Sequence, residues 1–247
     1  MSIKSQKDLL ALMKIGQIVG QTLRYMQDQL RAGMTTEELD AFGADFLEKH
    51  GAQSAPRLMY KFPGTTCISI NDEAAHGIPG KRVIQPGDLV NIDVSAELDG
   101  YFADTGASIP VLPIAPLAER LCKSTRAALN RAIDAARAGQ PINVIGKAVE
   151  VEAKRGNFKI VRDLGGHGVG RSLHEAPRNV LNYYDPGMTT RLTEGMVLTI
   201  EPFLSTHATR TTQDDDGWTL RTPNSLVAQF EHTLVITRKK PLLITAI

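Results

Sequence analysis

The sequence predicts an α+β protein: one domain of two similar halves, approximately residues 1–112 and 113–247. Three observations support this. Each half opens with a pair of amphipathic helical patterns. The tripeptide Arg-Ala-Gly closes the long helix of both pairs, at 31–33 and at 137–139. Strand-rich sequence follows each pair, so the order helix, helix, strands occurs twice.

In the first half, Leu12, Ile15, Val19, Leu23, Met26 and Leu30 recur three and four residues apart, which makes one apolar helical stripe. Ser5 and Asp8 form a capping pair at its start. Thr35 and Glu38 match a capping box, Leu39, Phe42 and Phe46 give the second stripe, and Gly51 stops that helix. Strands are expected in "TTCISI", "DLVNIDVSAE" and "GYFADTGASI". In the second half "PLAERLCKSTRAALNRAIDAARAG" is the long helix. Pro141 suits the first position of the next one, Ile142, Ile145 and Val149 form its stripe, and Gly156 ends it. Strands are expected in "FKIVRDL", "GMVLTIEPFL" and "SLVAQFEHTLVIT", with residues 205–226 as loop.

The bulk numbers exclude several classes. A net charge of +1 with no Lys/Arg block gives no footprint for nucleic acid or an anionic membrane. Two cysteines without a C-x-x-C fit a reducing compartment and argue against a thiolate zinc site. Lys4, Lys7 and Lys14 interrupt the N-terminal segment, so no signal peptide is expected and the cytoplasm is the default location.

Chemistry enters at "LVNIDVSAELDGYFADTG", residues 89–106. A two-residue type I′ turn at Asp99-Gly100 would set Ser95 opposite Asp104 and Asp93 opposite Gly106. Asp93 and Asp104 then become diagonal neighbours on one face, roughly 7–8 Å apart at the backbone. Asn91 and Ser95 share that face, while Val90, Ile92 and Val94 point away. Buried carboxylates are costly without a partner. The second half repeats the theme with Glu201 in "MVLTIEPF" and Glu231 in "VAQFEHTLV", both inside apolar strand-like runs. Each half thus gives one histidine and then two acids: His76, Asp93, Asp104 and His174, Glu201, Glu231. His167 is additional, in the Gly-rich string "GGHGVGRSLHEAP". Carboxylates with few imidazoles suit Mn²⁺, Fe²⁺, Co²⁺ or Zn²⁺. Four carboxylates balance two dications, which favours a two-metal site with ions about 3.5–4 Å apart.

The strings "INDEAAHGIPG", "GDLVNIDVSAELDGYFADTG", "GGHGVGRSLHEAP", "EGMVLTIEPF" and "AQFEHT" lie in the order found in the methionine aminopeptidases. The chain resembles their short, bacterial-like type I branch over nearly its whole length. The resemblance implies the pita-bread α+β fold, with antiparallel sheets covered by helices and two divalent ions between the halves. It implies Asp93, Asp104, His167, Glu201 and Glu231 as metal ligands, with Asp104 and Glu231 bridging. It implies His76, His174 and Glu201 as catalytic groups. The reaction it implies is hydrolysis after an initiator methionine by a metal-bridging hydroxide, with a small second residue in the substrate. His76, His174, Phe62, Cys67 and Trp218 match positions around the substrate. Met59 stands where some members carry a tyrosine, and Leu173 where many carry a phenylalanine. The expected partners are nascent N-terminal methionine and the ribosome, with no nucleic-acid recognition, no membrane and a monomeric state.

Overall fold

A computed structural model describes Met1–Ile247 and shows the expected α+β class. Helix α1 (Gln6–Gln29) starts at Ser5, whose hydroxyl accepts from the Asp8 amide. Its stripe Leu12, Ile15, Val19, Leu23 and Met26 is buried, and Leu30 is the residue that ends it. Helix α2 (Thr36–Lys49) carries the Thr35–Glu38 capping box. A helix that the periodicity does not announce, α3 (Ala55–Tyr60), is one short turn and a half. Ser54 caps it, Pro56 sits in its first turn, and Lys61 leaves it in the left-handed region.

The hairpin forms with the expected register. Strands Leu89–Leu98 and Tyr101–Pro110 pair antiparallel, with Ser95 opposite Asp104 and Asp93 opposite Gly106. Asp99 and Gly100 both have positive φ, as a type I′ turn requires. Strand Cys67–Ile70 pairs along the other edge of Leu89–Leu98, with Cys67 opposite Asp93. Helix α1 lies across this sheet.

The second half departs from expectation at four points. Helix α4 is Pro116–Ala135 and α5 is Asn143–Gly156. Pro141 lies before α5 instead of inside it, because it bridges to Arg191 in extended form. Asn157, not Gly156, takes the left-handed cap. Gly156 is still helical, and is glycine because a β-carbon there would press on Ser124 and Phe158. The loop-like stretch contains two short strands, Thr212–Gln213 and Leu220–Arg221, and the second pairs with Glu73–Ala75.

The fourth departure matters most. Glu201 and Glu231 do not sit within strands. Each occupies a break between a strand of the five-stranded sheet and a strand of a three-stranded one. Val197–Ile200 belongs to the first and Phe203–Ser205 to the second, with Glu201 between them. Val227–Gln229 belongs to the three-stranded sheet and His232–Val235 to the five-stranded one, with Glu231 between them. One continuous apolar core links Leu12 and Ile92 to Leu121, Ile145, Leu198 and Leu234. The hairpin meets the second break at the Ala107–Phe230 bridge.

Candidate metal centre and active site

The five residues Asp93, Asp104, His167, Glu201 and Glu231 converge at the seam where the hairpin meets the two strand breaks. Ligand atoms of Asp104, His167 and Glu231 lie within 4.8 Å of one another. His167 Nε2 is 3.8 Å from Asp104 Oδ2 and 3.6 Å from Glu201 Oε1. Asp93 and Asp104 are diagonal neighbours on one face of the hairpin, and both line the same cavity.

His167 is fixed by its surroundings. Its Nδ1 lies 3.1 Å from the Gly168 carbonyl, so Nδ1 carries the proton and donates, leaving the Nε2 lone pair toward the acids. Its amide donates to Thr199 Oγ1, which in turn donates to Glu201. Glycines on both sides let neighbouring strands close in. A β-carbon at 166 would run into the Thr199 carbonyl, and one at 168 into that of Ala176.

The acids are oriented by polar neighbours. Gln229 Nε2 donates to Glu231 at 3.0 Å, and Asn91 Nδ2 donates to Gln229 Oε1 at 2.8 Å. Thr233 Oγ1 accepts from the Asp104 amide and donates to its carbonyl. Asn182 donates to the Glu201 carbonyl.

Burial pushes the Asp93 carboxyl up to about 6 and drives Asp104, Glu201 and Glu231 well above the carboxylate range. Burial likewise lowers His167 to about 3. Asp104 Oδ1 and Glu231 Oε1 are buried with no hydrogen-bond partner. Orphaned buried carboxylate oxygens call for a cation, and oxygen donors with one imidazole nitrogen form the set that borderline divalent ions prefer. The residues present therefore fit a divalent metal.

Above the acids opens a cavity of about 570 Å³. Asp93, Asp104, His167 and Glu201 form part of its lining, with His76, His174, Phe62, Cys67, Leu173 and Trp218 around them. Phe62 and Trp218 meet edge to face at 5.2 Å. The rings of His167 and His174 lie 4.0 Å apart. His76 holds a left-handed backbone, φ +57°, a conformation non-glycine residues adopt rarely. His76 and His174 are both lowered by burial, so both are neutral imidazoles at neutral pH. Of the three histidines singled out, His167 alone stands among the acids as a ligand-type neighbour; the other two face the cavity.

Met59 is a correction. It is 40% exposed and does not line the cavity, because the short helix α3 turns it outward. Tyr60 faces the cavity instead, with its hydroxyl 2.7 Å from His174 Nδ1. Thr199 and Gln229 were also missed. Each lies two residues from an acid, at Glu201 and Glu231, and same-face alternation would have found both.

Residues 11–238 match the profile of metallopeptidase family M24. The chain is 47% identical to a methionine aminopeptidase of Staphylococcus epidermidis, covering 100% of this chain and 99% of that protein. It is 44% identical to methionine aminopeptidase 2 of Bacillus subtilis, over 99% of both. Its fold superposes on the crystal structure of methionine aminopeptidase from Rickettsia prowazekii with a TM-score of 0.94, at 37% identity and full coverage of both chains.

Proposed function

The chain belongs to metallopeptidase family M24, among the methionine aminopeptidases, as a metal-dependent hydrolase of pita-bread α+β fold, and we propose that it removes N-terminal methionine from nascent polypeptides with a small second residue. One observation carries the reading: a cluster of four acids, three of them buried, and one oriented imidazole, with two orphaned oxygens, under an aromatic-lined cavity.

Asp93, Asp104, His167, Glu201 and Glu231 would hold two divalent ions; Co, Mn, Fe and Zn all suit this donor set. Bound there, the ions supply Lewis-acid activation of water and of the scissile carbonyl. Glu201 accepts the proton of the attacking water and returns it to the leaving amine. Tyr60 donates to His174 Nδ1, which leaves the Nε2–H of His174 to stabilise the developing oxyanion. His76 hydrogen-bonds the substrate's peptide group. Phe62, Cys67, Trp218 and Leu173 receive the methionine side chain, whose sulfur gains from aromatic neighbours. We read residues 1–112 and 113–247 as duplicated halves of one catalytic domain, working as a monomer in the cytoplasm and meeting its substrates at the ribosome. The repeated order of helices and strands supports the duplication, and no helix is long and apolar enough to cross a membrane.

The test is turnover of a Met-Ala-Ser peptide by metal-stripped protein across a series of added ions, beside an Ala-Pro peptide. Metal-dependent release of methionine, lost in Glu201→Ala, is expected. Preference for the proline peptide would overturn the reading in favour of the proline-specific enzymes of this fold.

A further inference from the structure

A second cluster of side chains lies outside the cavity, at the foot of the loop that carries His174. Arg171 lies in that loop, between strands Gly165–Gly168 and Glu175–Leu181, where no regular structure holds the chain. Its guanidinium covers the Tyr101 ring at 3.6 Å. Nη2 donates to Asp8 Oδ1 at 2.9 Å and also to the Tyr101 hydroxyl, and Nη1 donates to the Gly100 carbonyl at 3.4 Å. Tyr101 itself donates to Asp8 Oδ1 at 2.8 Å. The Phe102 amide donates to the Gly170 carbonyl at 2.9 Å.

Asp8 divides its carboxylate between two tasks. Oδ2 accepts from the Lys4 amide and the Ser5 hydroxyl at the start of α1, while Oδ1 faces Tyr101 and Arg171. The Tyr101 hydroxyl, then Ser5 and Lys4, hold the Asp8 carboxyl down at about 2, so it stays ionised over the working pH range. Tyr101 precedes Asp104 by three residues on the hairpin, and Arg171 precedes His174 by three in the loop. The cluster therefore joins the strand that bears an acid of the metal centre to the loop that bears the oxyanion-side histidine.

We propose that Asp8, Tyr101 and Arg171 form a clasp that positions His174 over the metal centre, and that Arg171 is its keystone. It rests on His174 facing the substrate, as proposed above. Misplacing a catalytic group by about 1 Å can cost about 100-fold in rate, whereas the clasp touches neither the metal ligands nor the methionine pocket. Its loss should lower kcat while leaving KM and metal content nearly unchanged.

The experiment compares metal-loaded parent, Arg171→Leu, Arg171→Lys and Tyr101→Phe on Met-Ala-Ser, with Glu152→Gln as a control. Glu152 is a buried acid of α5 paired with Arg131 of α4, and neither residue contacts the His174 loop, so its loss lowers stability without touching the clasp. Arg171→Leu should lose at least about tenfold in kcat, with KM and metal content within about twofold. Arg171→Lys should recover part of that loss, and Tyr101→Phe should lose less than Arg171→Leu. The control should keep its kcat at an equal fall in melting temperature. An unchanged kcat in loaded Arg171→Leu, or an equal fall in the control, overturns the clasp. Should Arg171→Leu fail to fold, parent-like kcat in Tyr101→Phe and Arg171→Lys together overturns it. An inactive parent removes the functional reading itself, a distinct outcome.

Discussion

The two regions that supply the acids are built differently. The hairpin delivers Asp93 and Asp104 from two unbroken strands whose ladder is complete from Leu89 to Pro110. The second half delivers Glu201 and Glu231 from places where the ladder stops and the chain passes from one sheet to another. A broken ladder leaves main-chain groups to be satisfied elsewhere. Here the Glu231 amide donates to the Gly106 carbonyl at 2.9 Å, and Thr105 Oγ1 donates to the Glu231 carbonyl at 2.7 Å. The hairpin is thus both a source of acids and the support on which the second half's acid rests. Side-chain length follows the same division, with the shorter acid on the rigid pleat and the longer one at the bend.

Removing one acid from each region tests whether both serve a single centre. Asp104→Asn and Glu231→Gln should each reduce kcat/KM by at least about 100-fold through metal loss, since even changes to outer-shell partners cost 10–100-fold in affinity. Metal content and turnover measured together check this. Full loading in Glu231→Gln would break the comparison by removing the strand break from the metal centre.

Next comes a pH effect read at the hairpin. Burial raises the Asp93 carboxyl from 3.8 to about 6, so the metal-free fold favours its protonated form. That stability is complete below pH 3.8 and is lost as pH rises through 6. Asp93→Asn cannot ionise, so in chelated protein it should gain on the parent as pH rises across this window. Thermal melts of both at pH 4 to 7 would show it, and reloading metal should cancel the gain. A constant difference between the two would mean that Asp93 ionises freely.

Thr105→Val probes the seam itself. It leaves the buried Glu231 carbonyl without its hydroxyl partner and should cost about 1–3 kcal/mol. A weakened metal affinity is expected as well, because the Glu231 backbone is released. Denaturant unfolding and metal titration measure the two effects.

The smallest change lies at the far end of the hairpin. Gly100→Ala places a β-carbon at φ +79° and should cost about 1–2 kcal/mol. Metal affinity should stay with the parent, which would separate the turn's task from the seam's in the same titration.

The hairpin was legible because Asp99-Gly100 dictates a turn, and the turn dictates every facing pair. The strand breaks were not. Pro202 is a local hint after Glu201, but Phe230 and Glu231 carry no punctuation, and the sheet change is decided by packing against the hairpin. Asp8 reads correctly as a helix-capping residue, yet its second partner lies 163 residues away, beyond the reach of any local pattern. Between Met59 and Tyr60 the choice turned on the frame of a helix too short for periodicity to register.

The glycines beside His167 set a boundary on what selection or redesign can reach. At 165, 166 and 168 the blocking atoms are carbonyl oxygens of adjoining strands, which no repacking can move aside. A saturation library at these positions should yield almost only non-folding clones. Under the function proposed above, substrate preference would then diverge through the cavity-lining Tyr60, Phe62, Leu173 and Trp218, while the His167 strand stays a fixed reference against which those changes are tried.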